Sequence, residues 1–368
     1  MAPNTEQITE LLRQIRPAAL DMDIVSAGAV KEVQADENNV VIKVEFGFPA
    51  QSVAEGFKRR IEQLVQPALA GRALTVEVGW AIQAHATQGQ TRPIDGVKNV
   101  VLVSSGKGGV GKSTTTVNLA LALAAEGARV GLLDADIFGP SLPLMMGLAP
   151  GTEPGVEEQK YFVPPRAHGI QVMSIGFLVD STTPVVWRGP KASGAIQQLA
   201  LSSRWDDLDY LFVDMPPGTS DIQLTMSQKI PVAGSVVVTT PQEVALADAR
   251  KGIEMFDKVG IHVLGVVENM SVHVCSSCGH HDAIFGHQGG ADLAEQYDTN
   301  LLASLPLVSA IREGADTGAP IVLTAPDSAE AALYQVGARR LAGALSLRPK
   351  AKSAAFARMV MQHDPKQP

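Results

Sequence analysis

Two textures of hydrophobic spacing divide the chain. Over residues 1–82, Thr5 to Ile15 places Ile8, Leu11, Leu12 and Ile15 on one helical face, and Val40 to Phe46 alternates like a half-buried strand. Val53 to Val65 returns to helical spacing and Leu74 to Val78 alternates again. This pattern predicts a small α+β unit. Residues 83–97 (QAHATQGQTRPIDGV) are polar, contain Gly and Pro, and have no period, so they read as a linker.

From residue 98 the apolar positions gather into short continuous runs: Val100 to Val103, Val130 to Leu133, Val172 to Ile175, Tyr210 to Val213, Val236 to Val238, Val263 to Val267 and Leu301 to Leu305. Helical segments separate most of them. Uninterrupted apolar strands alternating with helices predict an α/β unit over residues 98–347, with a mostly parallel sheet covered by helices on both faces. Ligands then bind at the carboxyl ends of the strands, so chemistry belongs just after those runs. Residues 348–368 are expected to form a loosely ordered tail.

Charge narrows the functions. Thirty Lys and Arg against 38 Asp and Glu give a net charge of -8, which disfavours a nucleic-acid-binding surface. No apolar run approaches the length of a membrane span, and the N-terminus lacks a basic start followed by an apolar block; a cytoplasmic location without membrane contact is expected. The only cysteines are Cys275 and Cys278, which make no disulfide framework.

Between the first apolar run and a helix lies Ser104-Ser-Gly-Lys-Gly-Gly-Val-Gly-Lys-Ser-Thr114. Gly106 to Ser113 fits G-x-x-x-x-G-K-[ST], a loop whose backbone N–H groups converge on phosphates at a helix N-terminus. Gly106, Lys107, Gly108, Gly109, Val110, Gly111, Lys112, Ser113 and Thr114 are therefore the expected nucleotide cradle. Lys112 supplies positive charge and Ser113 a hydroxyl for magnesium. Lys107 exceeds what the loop needs: it is either a solvated lysine or one projecting outward to the phosphates of a second subunit. The loop resembles the deviant Walker A motif, K-G-G-x-G-K-[ST], of the nitrogenase iron protein, MinD and ParA group. That resemblance implies a nucleotide-sandwich dimer in which Lys107 reaches across.

Aspartates close two of the strands. Asp214 is the expected magnesium-side carboxylate and Asp136 the water-positioning one, with Asp134 structural. Pro216-Pro217-Gly218 follows Asp214 as a rigid turn with a flexible joint, suited to sensing the terminal phosphate. Asn269, ending Val266-Val-Glu-Asn, either offers an amide to the edge of a base or serves simply as a turn residue.

Cys275-Ser-Ser-Cys278 presents two sulfurs from one turn, half of a metal shell. The remainder could come from His273, His280, His281 or His287 as a zinc site, or from the same two cysteines of a second chain; thiol–disulfide exchange is a third reading. A sandwich dimer would bring two plus two thiolates, a count that suits a [4Fe-4S] cluster on the symmetry axis and equally a four-thiolate zinc.

The ordered series SSGKGGVGKST, DADIFGPS, WRGP, AIQQLA, DYLFVDMPPGT, TTPQEVALAD, VENMSVHVCSSCGHHDAIFG, GGADLAE and PLVSAIREGADTGAPIV resembles the Mrp/ApbC iron-sulfur cluster carrier ATPases. Residues 1–82 are similar to the small iron-sulfur assembly domain fused ahead of that ATPase, through DMDIVSAGAVKEV, and carry no cysteine. The resemblance implies a homodimer that binds and slowly hydrolyses ATP with Mg2+. It also implies a labile [4Fe-4S] cluster between paired Cys275 and Cys278, delivered to apo iron-sulfur proteins. Ser220 and Ser276 depart from the family's usual glycine and proline. The rival readings are a MinD- or ParA-like positioning ATPase, for which the chain shows no strong membrane helix or basic surface, a P-loop ATPase with structural zinc, and an electron-donating ATPase.

Overall fold

The alternation in the first unit becomes a three-stranded sheet. Helix α1 (Thr5–Leu12) opens on a capping box between Asn4 and Gln7 and is followed by β1 (Val30–Ala35) and β2 (Asn39–Phe46). Helix α2 (Ala54–Val65) and β3 (Ala73–Trp80) complete the unit. The order is β1-β2-β3, with β1 antiparallel and β3 parallel to β2. Val40, Ile42, Val44 and Phe46 point from β2 into a core that Ile8, Leu12, Ile61 and Val65 close from the helices. The structure, a computed structural model, describes residues 3–89, 91–178, 189–219 and 221–351. Trp187, Ser220 and the stretch of the expected tail from residue 352 lie outside those residues.

The second unit runs β4 (Val97–Ser104), α3 (Lys112–Ala125), β5 (Val130–Asp134), α4 (Leu142–Met145), a hairpin of β6 (Gly155–Glu157) and β7 (Tyr161–Val163), then β8 (Arg166–Ala167) and β9 (Ile170–Ser174). It continues through α5 (Gly189–Ser202), β10 (Leu208–Asp214), α6 (Asp221–Lys229), β11 (Gly234–Thr239), α7 (Glu243–Lys258) and β12 (Val263–Glu268). A small hairpin of β13 (His273–Val274) and β14 (His281–Asp282) precedes α8 (Gly289–Gln296), β15 (Leu301–Ser304), α9 (Ser309–Asp316), α10 (Ile321–Thr324) and α11 (Ala329–Ser346).

All seven predicted apolar runs lie in one eight-stranded sheet, ordered β15-β12-β11-β4-β10-β5-β9-β8. Its strands are parallel except β8, the two-residue edge strand antiparallel to β9. Continuous hydrophobicity is explained by double-sided burial. Val101 and Val103 of β4 face a core with α3 and α11, while Val100 and Leu102 face α5, α6 and α7.

The first unit is docked on the second. Its core is continuous with the α3–α11 face, and Glu126, just past α3, is buried where the two units meet. The Glu126 carboxylate accepts from the Ser52 amide at 2.9 Å and its hydroxyl at 2.6 Å, and pairs with Arg339 of α11. Gly343 has no room for a side chain, because a Cβ there would lie 1.9 Å from the Ala19 carbonyl oxygen.

The segment read as a linker is anchored at several of its described residues. Asn99 accepts from both the backbone N–H and Nδ1 of the buried His85, each at 3.0 Å. Gln88 bonds Ile230 and Val232, Ile94 is buried, and β4 already begins at Val97. Ala86 and Ala351 donate to Pro349 and Ala84, so the start of the expected tail is tied beside it. Single anchors at irregular intervals leave no periodic signal, which is why the stretch reads as unstructured.

Candidate functional site

The register of the sheet assembles the site. Asp214 closes β10, opposite Val103 of β4 on one side and Asp134 of β5 on the other, so the strand leading into the phosphate loop and two acidic strand ends share one edge. Gly111 caps α3 in the left-handed conformation (φ 82°), turning the loop into the helix. A Cβ at Gly111 would lie 2.1 Å from Asn269 Nδ2, so glycine also permits the close approach of β12's end.

Lys112 is buried and its Nζ contacts Asp214 Oδ2 at 2.7 Å, Ser113 Oγ at 3.2 Å and Asp136 Oδ2 at 3.7 Å. Ser113 donates to Asp214 Oδ2 at 2.6 Å and Thr116 to Asp214 Oδ1 at 2.7 Å. A lysine, two hydroxyls and a wholly buried carboxylate thus form one hydrogen-bonded group. Asp134 accepts from the amides of Asp136 and Leu142 and from the Ser174 hydroxyl, each at 3.1 Å, which makes it the brace of the Asp136 loop. Burial, and then the neighbouring Asp214 charge, push the Asp134 carboxyl up to about 7. Burial also raises Asp136, with Lys112 opposing it.

Lys107, Gly108 and Gly109 are exposed, while Gly106 and Val110 lie deeper. Lys107 makes no ion pair among the described residues, and its carbonyl accepts from Ser105. Thr114, in the first turn of α3, accepts from Asn118 through its carbonyl. Asn269 spends its amide within the chain, donating from Nδ2 to the Val110 carbonyl at 2.8 Å. Two residues escaped the sequence reading. Thr116 stands three residues beyond Ser113 on the same helical face, a spacing that signals it. Gln223 donates to Pro216 O at 2.6 Å and Ser104 Oγ at 3.1 Å, pinning the Pro216–Gly218 turn to β4, and no motif marks it.

The cysteines occupy the tip of the β13–β14 hairpin. Cys275 donates its amide to His280 O and accepts from the Gly279 amide, both at 2.9 Å, closing the turn. Both thiols are free, with Cys275 half-buried and Cys278 exposed. Amides of Ser277 and Cys278 directed at the Cys275 sulfur lower its thiol below the usual value. Among the described residues no three His, Cys, Asp or Glu side chains gather closely enough to hold a metal ion. No helix among them is long and apolar enough to cross a membrane.

Comparison with known proteins gives consistent results. A family model described as NUBPL iron-transfer P-loop NTPase matches residues 96–342, and one described as iron-sulfur cluster assembly protein matches residues 5–78. An iron-sulfur cluster carrier protein of Pseudomonas fragi is 61% identical over 260 residues, covering 71% of this chain and 91% of its own. A protein of the same description from Haemophilus influenzae is 46% identical over 327 residues, covering 89% and 88%. Among solved structures, a nucleotide-binding protein from Archaeoglobus fulgidus in complex with ADP is 38% identical with a TM-score of 0.53, covering 61% of this chain and 88% of that one.

Proposed function

The chain belongs to the NUBPL iron-transfer P-loop NTPases, and on that premise we propose that it is a cytoplasmic, homodimeric, ATP-hydrolysing carrier of a [4Fe-4S] cluster that it hands to apo iron-sulfur proteins. The observation that carries this reading is the shared edge: the phosphate loop after β4, the carboxylates ending β5 and β10, and the two-cysteine hairpin after β12 all rise from the carboxyl ends of one sheet.

The amides of Gly108 to Lys112 cradle the phosphates, and Lys112, released from Asp214, balances their charge. Ser113 and Asp214, already joined at 2.6 Å, fit a small hard cation by their oxygen donors. Magnesium held there supplies charge neutralisation. Asp136 orients the attacking water, and the exposed Lys107 of each subunit reaches its partner's phosphates. Turnover is slow until the partner lysine is in place. Cys275 and Cys278 provide half of the cluster's thiolate shell and a second copy provides the rest.

Anaerobic reconstitution with iron and sulfide tests the reading. The expected product is a dimer by native mass measurement with about four irons per pair of chains and the broad visible absorbance of a [4Fe-4S] centre. A colourless protein, or one mole of zinc retained per dimer after anaerobic purification, would count against it.

A further inference from the structure

The cysteine hairpin is rooted on the phosphate loop at both of its legs. On the entering side, Asn269 takes the Val110 carbonyl at 2.8 Å while its own backbone amide donates to Thr239 at 2.8 Å, so one residue ties the loop to the ends of β11 and β12. Its Nδ2 fills the space a side chain at Gly111 would take, so the loop cannot shift there without moving Asn269. Met270 follows with φ 56°, a left-handed conformation that a non-glycine side chain seldom adopts, and turns the chain toward Cys275, six positions after Asn269. On the returning side, Phe285 meets Lys107 to Val110 and Met270 around a cavity of about 150 Å³. Thr240 is another residue of that lining, and its hydroxyl is buried with no hydrogen-bond partner among the described residues.

We propose that Asn269 is a positioning residue that transmits nucleotide occupancy of the phosphate loop to the cysteine pair, through the Val110 carbonyl and the Met270 turn. The inference rests on the carrier reading for its purpose and on the contacts above for its mechanism. Phosphates drawing the loop amides inward fix Val110, and through Asn269 the entering leg of the hairpin becomes less free. The cysteines then hold one spacing with nucleotide bound and sample several without it. Loop opening and cysteine release are thereby two faces of one equilibrium, and the coupling is reciprocal.

Thiol reactivity of reduced, cluster-free full-length protein reads this directly. Alkylation of Cys275 and Cys278 is timed with and without a saturating non-hydrolysable ATP analogue and magnesium, saturation being verified by titration for each variant. Wild type is expected to slow about fivefold or more on nucleotide binding, and Asn269→Asp, which cannot donate to Val110, by less than about twofold. If Asn269→Asp does not reach saturation, Met270→Gly carries the test, because it slackens the turn while leaving the amide in place, and should lose the response likewise. A wild-type rate indifferent to nucleotide, or a saturated variant that responds as wild type does, overturns the proposal. The two readings separate: wild type that takes up no cluster on reconstitution yet shows the thiol response defeats the carrier reading alone.

Discussion

Asp134 shows what one buried acid contributes. Among the described residues no cation pairs with it, three donors hold it, and its carboxyl is raised to about 7. The fold therefore favours the protonated form. Its contribution to stability is complete below about pH 4, declines between about 4 and 7 as the unfolded chain alone ionises, and is gone above that. Asp134→Asn, neutral throughout, should have its largest deficit in melting temperature relative to nucleotide-free wild type at about pH 4 and below, smaller at about pH 5 and gone by about pH 8. A difference constant across that range would refute the assignment. Single residues of this kind were legible where they carry a motif: Lys112, Ser113, Asp136 and Asp214 meet as their spacing implies. Asn269 and Val110, 159 positions apart, were not, since nothing in either neighbourhood encodes the other.

Helix α3 joins two tasks at the scale of an element. Its first turns present Lys112, Ser113 and Thr116 toward Asp214, while its middle, from Val117 to Leu123, is buried all round. Thr116 donates to Asp214 Oδ1 at 2.7 Å, a bond that would orient the carboxylate in the magnesium site proposed above. Thr116→Val keeps the shape and removes that bond, so the magnesium concentration giving half-maximal ATP hydrolysis should rise about tenfold. An unchanged magnesium dependence would exclude the orienting role. Elements declared themselves in the sequence when burial imposed a period. β1 did not, because Val30–Ala35 has no fully buried residue, and β8 is too short to have a period at all.

The whole molecule depends on the seam between its units. Glu126 is nearly inaccessible, and among the described residues its carboxylate is satisfied by Ser52 and Arg339, residues far apart in the sequence. Glu126→Ala removes the partner of the half-buried Arg339 and of Ser52 and should cost about 1–3 kcal/mol by denaturant unfolding. Cleavage within residues 83–97 by a trace protease should accelerate in parallel. Denaturation midpoints matching wild type would show the seam to be passive.

The pairing of Ala84–Ala86 with Pro349–Ala351 has a practical corollary. It sits at the amino ends of the strands, against Asn99, with the full length of β4 between it and the nucleotide edge. A fluorophore attached at residue 351 would sit toward the end of β4 opposite the phosphate loop. Two such labels in an assembled pair would report subunit separation from positions that neither ATP nor iron contacts.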